Sequence, residues 1–256
     1  MNKEIVVHNL LINYEAYISS NTAFASIVFL HGWRSNKEVW GRVVQDLRSK
    51  IKDVTIYTLN LPGFGASATP TSPMTIGDYA EVVAEFIKKL ELKNVVVVGH
   101  SFGGRIGIKL SATHPELIAK LVLVDSAGFV IGSQKKTAMN LAAKIAKPFF
   151  KPKIMRGLRK KIYQTIGSED YVATPELRQT FLNVVTEDLT EHLKKIAIPT
   201  LIIFGENDKD TPVEFGKKMH FLIPHSKFLI LKNAGHFSFL DQSEEFTASI
   251  QNFISI

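Results

Sequence analysis

Four consecutive valines, Val95 to Val98, run directly into Gly99-His100-Ser101-Phe102-Gly103-Gly104, and a segment of helical periodicity begins at Phe102. A β-branched run with no polar alternation reads as a strand covered on both faces, and such strands belong to parallel sheets connected by helices. The rest of the chain must then supply parallel neighbours. It does so with short apolar runs at residues 26–31, 54–60, 121–125, 200–204 and 227–231, each bounded by turn residues. Helix-period segments lie at 36–49, 76–90, 102–114, 213–222 and 243–254, and residues 5–8 and 10–18 read as an antiparallel pair turning at Asn9. The fold class is therefore α/β, with a mostly parallel eight-stranded sheet flanked by helices. Between 129 and 193 the alternation stops. That stretch shows helical segments punctuated by Pro148, Pro152 and Pro175 and no strand, so residues 1–128 and 194–256 are expected to form a core that carries an inserted helical cap, 129–193.

Composition narrows the chemistry. With 45% hydrophobic and 21% charged residues in 256, the chain can bury a sizeable core, which excludes a disordered or fibrous protein. The absence of cysteine excludes disulfides, thiolate nucleophiles and cysteine-bearing zinc sites. No segment approaches the ~20 apolar residues of a membrane span, and the start Met1-Asn2-Lys3-Glu4-Ile5 lacks the apolar stretch of a signal peptide, so a cytoplasmic protein is expected.

The glycine-flanked serine matches G-x-S-x-G in the context that gives the pattern meaning, a strand before it and a helix after it. A sharp turn there lifts the Ser101 hydroxyl above the strand end, beside the positive end of the helix. The structural alternative is a serine that only caps the helix. A serine nucleophile needs a base and the base an orienting carboxylate. Gly205-Glu206-Asn207-Asp208 follows a strand and closes at Pro212, and Ala234-Gly235-His236 follows the last strand. Asp208 and His236 are the candidates, with Asp210 and Asp125 competing for the acid; an ordinary loop carboxylate and a core imidazole are the alternatives. Donors for a developing oxyanion are assigned to the backbone N–H groups of Trp33 and Phe102, with Trp33 equally suited to be a core aromatic.

The chain resembles the α/β-hydrolase fold superfamily at His31-Gly32, Leu61-Pro62-Gly63-Phe64-Gly65, Gly99 to Gly104, His114-Pro115-Glu116, Gly205 to Asp208 and Ala234-Gly235-His236, and Ser, Asp, His is that family's chain order. Residues 31–40 look most like the pimeloyl-carrier-protein methyl ester esterases, whereas residues 104–128 look more like carbon–carbon bond hydrolases. Ser101 contradicts the members that carry aspartate at this turn. The resemblance implies an α/β-hydrolase fold and a serine hydrolase that cleaves carboxylic esters through an acyl-enzyme, with Ser101, Asp208 and His236 as catalytic residues. Gly32, Trp33, His100, Phe129 and Phe237 would line the substrate, and neither cofactor nor metal is expected. A diketone dienoate as substrate, and a ligand-binding sensor with little turnover, are the other readings.

The net charge of +7 has one source. Lys135, Lys136, Lys144, Lys147, Lys151, Lys153, Arg156, Arg159, Lys160 and Lys161 all lie in the expected cap, with no acid between 126 and 168, and the remainder holds 21 bases against 24 acids. Met139, Ala142, Ile145, Ala146 and Phe149 share one helical face there. An acidic carrier protein, an anionic lipid or a carboxylate-bearing substrate would suit that charge, as would a plain solvated lysine face; no nucleic-acid module is recognisable.

Overall fold

The computed structural model describes residues 2–19, 23–130 and 174–255. Eight strands form one sheet: β1 (Asn2–Val7), β2 (Leu10–Tyr17), β3 (Ala25–Leu30), β4 (Val54–Leu59), β5 (Val95–His100), β6 (Lys120–Val124), β7 (Thr200–Gly205) and β8 (Ser226–Leu231). Their order is β1-β2-β4-β3-β5-β6-β7-β8. β1 and β2 pair antiparallel, as do β2 and β4, and every other neighbour is parallel. The expected mostly parallel eight-stranded sheet is borne out. His8 and Asn9 both take positive φ, 46° and 62°, which is the two-residue turn that matches the twist of a β1–β2 hairpin.

The valine run explains the layering. Val95 and Val97 face one side of β5, where α2 (Ile76–Lys89) brings Tyr79, Val83 and Phe86, and α3 (Phe102–Thr113) brings Ile106 and Leu110. Val96 and Val98 face the other side, against Val43 and Leu47 of α1 (Gly41–Lys50) and Phe246 and Ile250 of α8 (Ser243–Ile254). Each such side chain, fully buried, contributes ~1.5–3 kcal/mol. The other α-helices among the described residues are α4 (Arg178–Thr186), α5 (Thr190–Leu193), α6 (Val213–Leu222) and α7 (Ser238–Asp241). Among the described residues no helix is long and apolar enough to cross a membrane.

Two local readings are corrected. The single helix expected over 36–49 begins as a 3-10 turn, Lys37–Trp40, because Asn36 Oδ1 accepts from the Glu38 N–H at 3.2 Å and the Gly41 N–H bonds Glu38 O three residues back. That tighter turn aims Trp40 into the core, where it stacks on Phe239 at 4.3 Å. The short helix α7 was not foreseen; it is a single turn placed by Phe239. Within residues 174–193 of the expected cap lie a 3-10 turn, Pro175–Leu177, and the helices α4 and α5, and no strand occurs there. The ten bases and the apolar stripe of residues 139–149 lie outside the described residues.

Because β3 and β5 to β8 run parallel, their carboxyl ends share one edge, the side on which open α/β sheets bind ligands. At the end of β3, fully buried His31 donates from Nδ1 to Gly32 O at 2.7 Å and accepts from the Leu61 N–H on Nε2 at 3.0 Å. Burial drives its pKa down to about 4. An unfolded imidazole titrates near ~6.5, so between these values the unfolded chain binds more protons; the stability is whole above that range and is lost as pH falls through it. The urea midpoint should therefore drop on acidification from neutral toward about pH 4, and His31→Gln should flatten the decline. An unaltered slope in that variant would assign the acid sensitivity to another group.

Candidate active site

Ser101 sits between β5 and α3 with φ 50° and ψ −106°, a left-handed conformation costly for any residue but glycine. Its neighbours make the turn possible. A Cβ on Gly99 would lie 2.4 Å from Gly103 O, one on Gly103 2.3 Å from Leu30 O, and one on Gly104 2.1 Å from Ser126 Oγ. Ser101 occupies the N-cap position of α3, yet its hydroxyl makes no capping hydrogen bond. Its N–H donates to Val124 O at 3.0 Å, which fastens the turn to the end of β6.

His236 follows β8 and presents Nδ1 to Asp208 Oδ2 at 2.8 Å. A carboxylate only accepts, so the shared proton belongs to Nδ1, and Nε2 keeps its lone pair. Asp208, in the loop after β7, is held by a turn of its own: Oδ1 accepts from the N–H groups of Asp210 and Thr211 at 2.8 and 3.0 Å. Thr211 Oγ1 stands 2.7 Å from Asp208 Oδ2 and 2.9 Å from Asp125 O, so it has one proton for two acceptors. Burial opposes the Asp208 charge, but the bonds from His236 and Thr211 outweigh it and hold the pKa below the usual carboxylate value. Burial likewise opposes the imidazolium, and the Asp208 bond with the charges of Asp208, Asp125 and Asp210 raises the His236 pKa nonetheless. The pair is thus built to accept a proton on His236.

Among the described residues no hydrogen bond joins Ser101 to His236; the loop of one is linked to the turn of the other through His100 and Gly32. His100, beside Ser101, donates from Nε2 to His236 O at 2.7 Å, and the two rings lie 4.9 Å apart. Burial first, and the neighbouring His236 second, depress the His100 pKa to about 3, so it is a neutral strut. A Cβ on Gly32 would fall 2.8 Å from His100 Nδ1 and 3.6 Å from Ser101 Cβ, so the loop after β3 passes directly over the turn. Among the described residues neither the Trp33 nor the Phe102 backbone N–H has an acceptor. The Trp33 ring packs within 5.2 Å of Phe64, Phe102 and Phe181, the last from α4, so the aromatic wall extends from the loop after β3 to α4.

Phe237 is exposed and its ring lies 5.0 Å from His100 and 5.7 Å from His236, at the rim of the site. Phe129 packs edge-on against Phe215 of α6, with the Lys218 ammonium 4.0 Å from its ring centre. Asp208, Asp210 and His236 offer three metal-ligand atoms within 4.8 Å. A cation held there would compete with the proton that joins Asp208 to His236. Sequence reasoning missed Thr211, although Asp208-Lys209-Asp210-Thr211-Pro212 has the side-chain-to-backbone turn signature of aspartate. It also missed Ser238, for which no local signal exists.

The profile of the alpha/beta hydrolase family matches residues 27–249. The pimeloyl-[acyl-carrier protein] methyl ester esterase of Nitrosomonas europaea is 28% identical over 87% of this chain and 92% of that protein. The 2-hydroxy-6-oxo-6-(2'-aminophenyl)hexa-2,4-dienoic acid hydrolase of Metapseudomonas resinovorans is 25% identical over 90% of this chain and 83% of that protein. In three dimensions the chain superposes on an esterase from Exiguobacterium antarcticum with TM-score 0.79 and 24% identity, covering 100% of both chains, a likeness of fold.

If Ser101 serves no capping role, Ser101→Ala should leave the urea midpoint unchanged, since the backbone strain is the same for both residues. Loss of a true cap would cost about 1 kcal/mol. A destabilisation of that size would return Ser101 to a structural part.

Proposed function

The chain belongs to the alpha/beta hydrolase family, and from that premise we propose that it hydrolyses carboxylic esters through a covalent acyl-serine intermediate. The observation that carries this reading is the Ser101 hydroxyl, free of any capping bond in a strained turn, on the same sheet edge as the bonded pair His236 and Asp208. His236 Nε2 takes the Ser101 proton as Oγ attacks the ester carbonyl, and the Trp33 and Phe102 N–H groups receive the charge that develops on the carbonyl oxygen. The imidazolium then gives its proton to the departing alcohol. Water, deprotonated by the same Nε2, attacks the acyl-enzyme, and collapse of that second tetrahedral adduct returns the proton to Ser101 and frees the acid. Asp208 keeps the imidazole in its tautomer and stabilises the cation.

The aromatic wall of Trp33, Phe64, Phe102 and Phe181 suits an apolar acyl group, and glycine at position 32 lets the loop after β3 lie against His100 and Ser101. In the same proposal residues 129–193 are the cap segment, and the ten bases between 135 and 161 would suit an anionic part of the substrate or an acidic carrier.

A panel of p-nitrophenyl esters of increasing acyl length, together with a diketone dienoate, tests the reading. Turnover of esters and not of the diketone is expected; the reverse result would replace ester cleavage with carbon–carbon cleavage. Ser101→Ala should abolish hydrolysis, and an organophosphonate should label Ser101 alone. Asp208→Asn should lower kcat by about 10⁴ through the wrong histidine tautomer. Retained turnover in Ser101→Ala would end the serine mechanism.

A further inference from the structure

Among the described residues Asp125 is the one fully buried carboxylate at the strand ends that the proposed mechanism leaves unused, and its bonds reach both loops of the site. Oδ1 accepts from the Gly205 N–H at 2.8 Å, where the chain leaves β7 toward Asp208. Oδ2 accepts from the Ser238 N–H at 3.1 Å and the Ser238 hydroxyl at 2.6 Å, two residues beyond His236. Its carbonyl faces the Thr211 hydroxyl, and the residue before it, Val124, accepts from the Ser101 N–H. Resting on the serine-hydrolase reading above, we propose that Asp125 is a positioning residue: its carboxylate clamps the Asp208 loop to the His236 loop, on the strand end that also fastens Ser101.

Several features favour this over a second acid or a plain packing group. No hydrogen bond joins Asp125 to the His236 ring among the described residues, so it does not act as the histidine's own acid. The three donors converge on a group that must accept all of them, which a carboxylate can do and an amide cannot. Asp125 holds φ at 43°, a strained conformation of the kind retained at functional sites. Burial pushes its pKa up to about 7, against the pull of Ser238 and Gly205, and the Asp208 charge pushes the same way. Burial opposes the His236 cation, the Asp208 bond and charge raise its pKa, and the charges of Asp125 and then Asp210 add to that; neutral His100 is the other titratable group against the imidazole among the described residues. When Asp125 takes up a proton, only the Ser238 oxygen among its three partners can accept it.

The test compares wild type, Asp125→Asn and Ser238→Ala by kinetics on p-nitrophenyl butyrate across pH and by NMR titration of the His236 imidazole. Asp125→Asn should lower kcat on the order of 10²-fold with KM changed by about two-fold at most, the size of loss a misplaced group brings. His236 should titrate at lower pH in that variant, and the acid limb of kcat/KM should move with it, because the carboxylate favouring the imidazolium is gone. Ser238→Ala should shift kcat and His236 the same way by less, and it decides the matter should Asp125→Asn not fold. An unchanged kcat, or a lowered kcat with His236 and the acid limb unmoved, would overturn the proposal and leave Asp125 a packing group. Were the wild type to cleave no ester, the esterase reading would fall, and the NMR titration would still decide whether Asp125 acts on His236.

Discussion

Everything at the edge of the sheet that holds Ser101 depends on how closely α3 approaches the strands beneath it. Gly99, Gly103 and Gly104 leave no room for a side chain, and the backbone of Gly103 lies against the end of β3. That contact brings Ser101 under the loop of Gly32 and Trp33 and sets its backbone at a positive φ. A methyl group at Gly103, 2.3 Å from Leu30 O, would lift the helix and with it the hydroxyl. The strain at Ser101 and at Asp125 is sustained by the two-sided core on which β5 and β6 sit, since each costs of order 1–3 kcal/mol and the surrounding burial is far larger.

The titratable groups at this edge are pushed apart by their surroundings. Burial makes His31 and His100 neutral struts, with pKa values brought down to about 4 and about 3. The same burial acts on Asp208 and His236, yet their mutual bond overrides it and favours the charged pair. Asp125 receives backbone and hydroxyl donors but no cation in bonding contact, so burial prevails and its pKa rises to about 7. Three histidines and two aspartates thus divide into a proton-accepting pair and three supports, according to what each is bonded to.

Much of this was legible in the order of residues. The valine run called for a two-faced parallel strand, the alternation of short apolar runs and helical segments called for its neighbours, and the glycines around Ser101 called for a sharp turn. Helices at 213–222 and 243–254 were readable to the residue because Pro212 and a polar break at Gln242 and Ser243 punctuate them. The 3-10 turn before α1 was not, since Asn36 bonding Glu38 and the burial of Trp40 against Phe239 involve partners that helical periodicity does not encode.

The sequence by itself determined the strands, their helices, the turn at Ser101 and the order Ser, Asp, His, because these follow from local periodicity and from the space that glycine leaves. It offered three aspartates for one role without ranking them on physical grounds. Tertiary structure decided: Asp208 turns back on its own loop and meets His236 Nδ1, exposed Asp210 gives a backbone N–H to that loop, and Asp125 is captured by Gly205 and Ser238. Phe129 packs edge-on against Phe215 of α6, a partner that local periodicity does not give. The reason is directional. A hydrogen bond or a ring contact depends on where two side chains point after the strands have paired, and partners such as Asp125 and Ser238, 113 residues apart in the chain, are brought together only by that pairing.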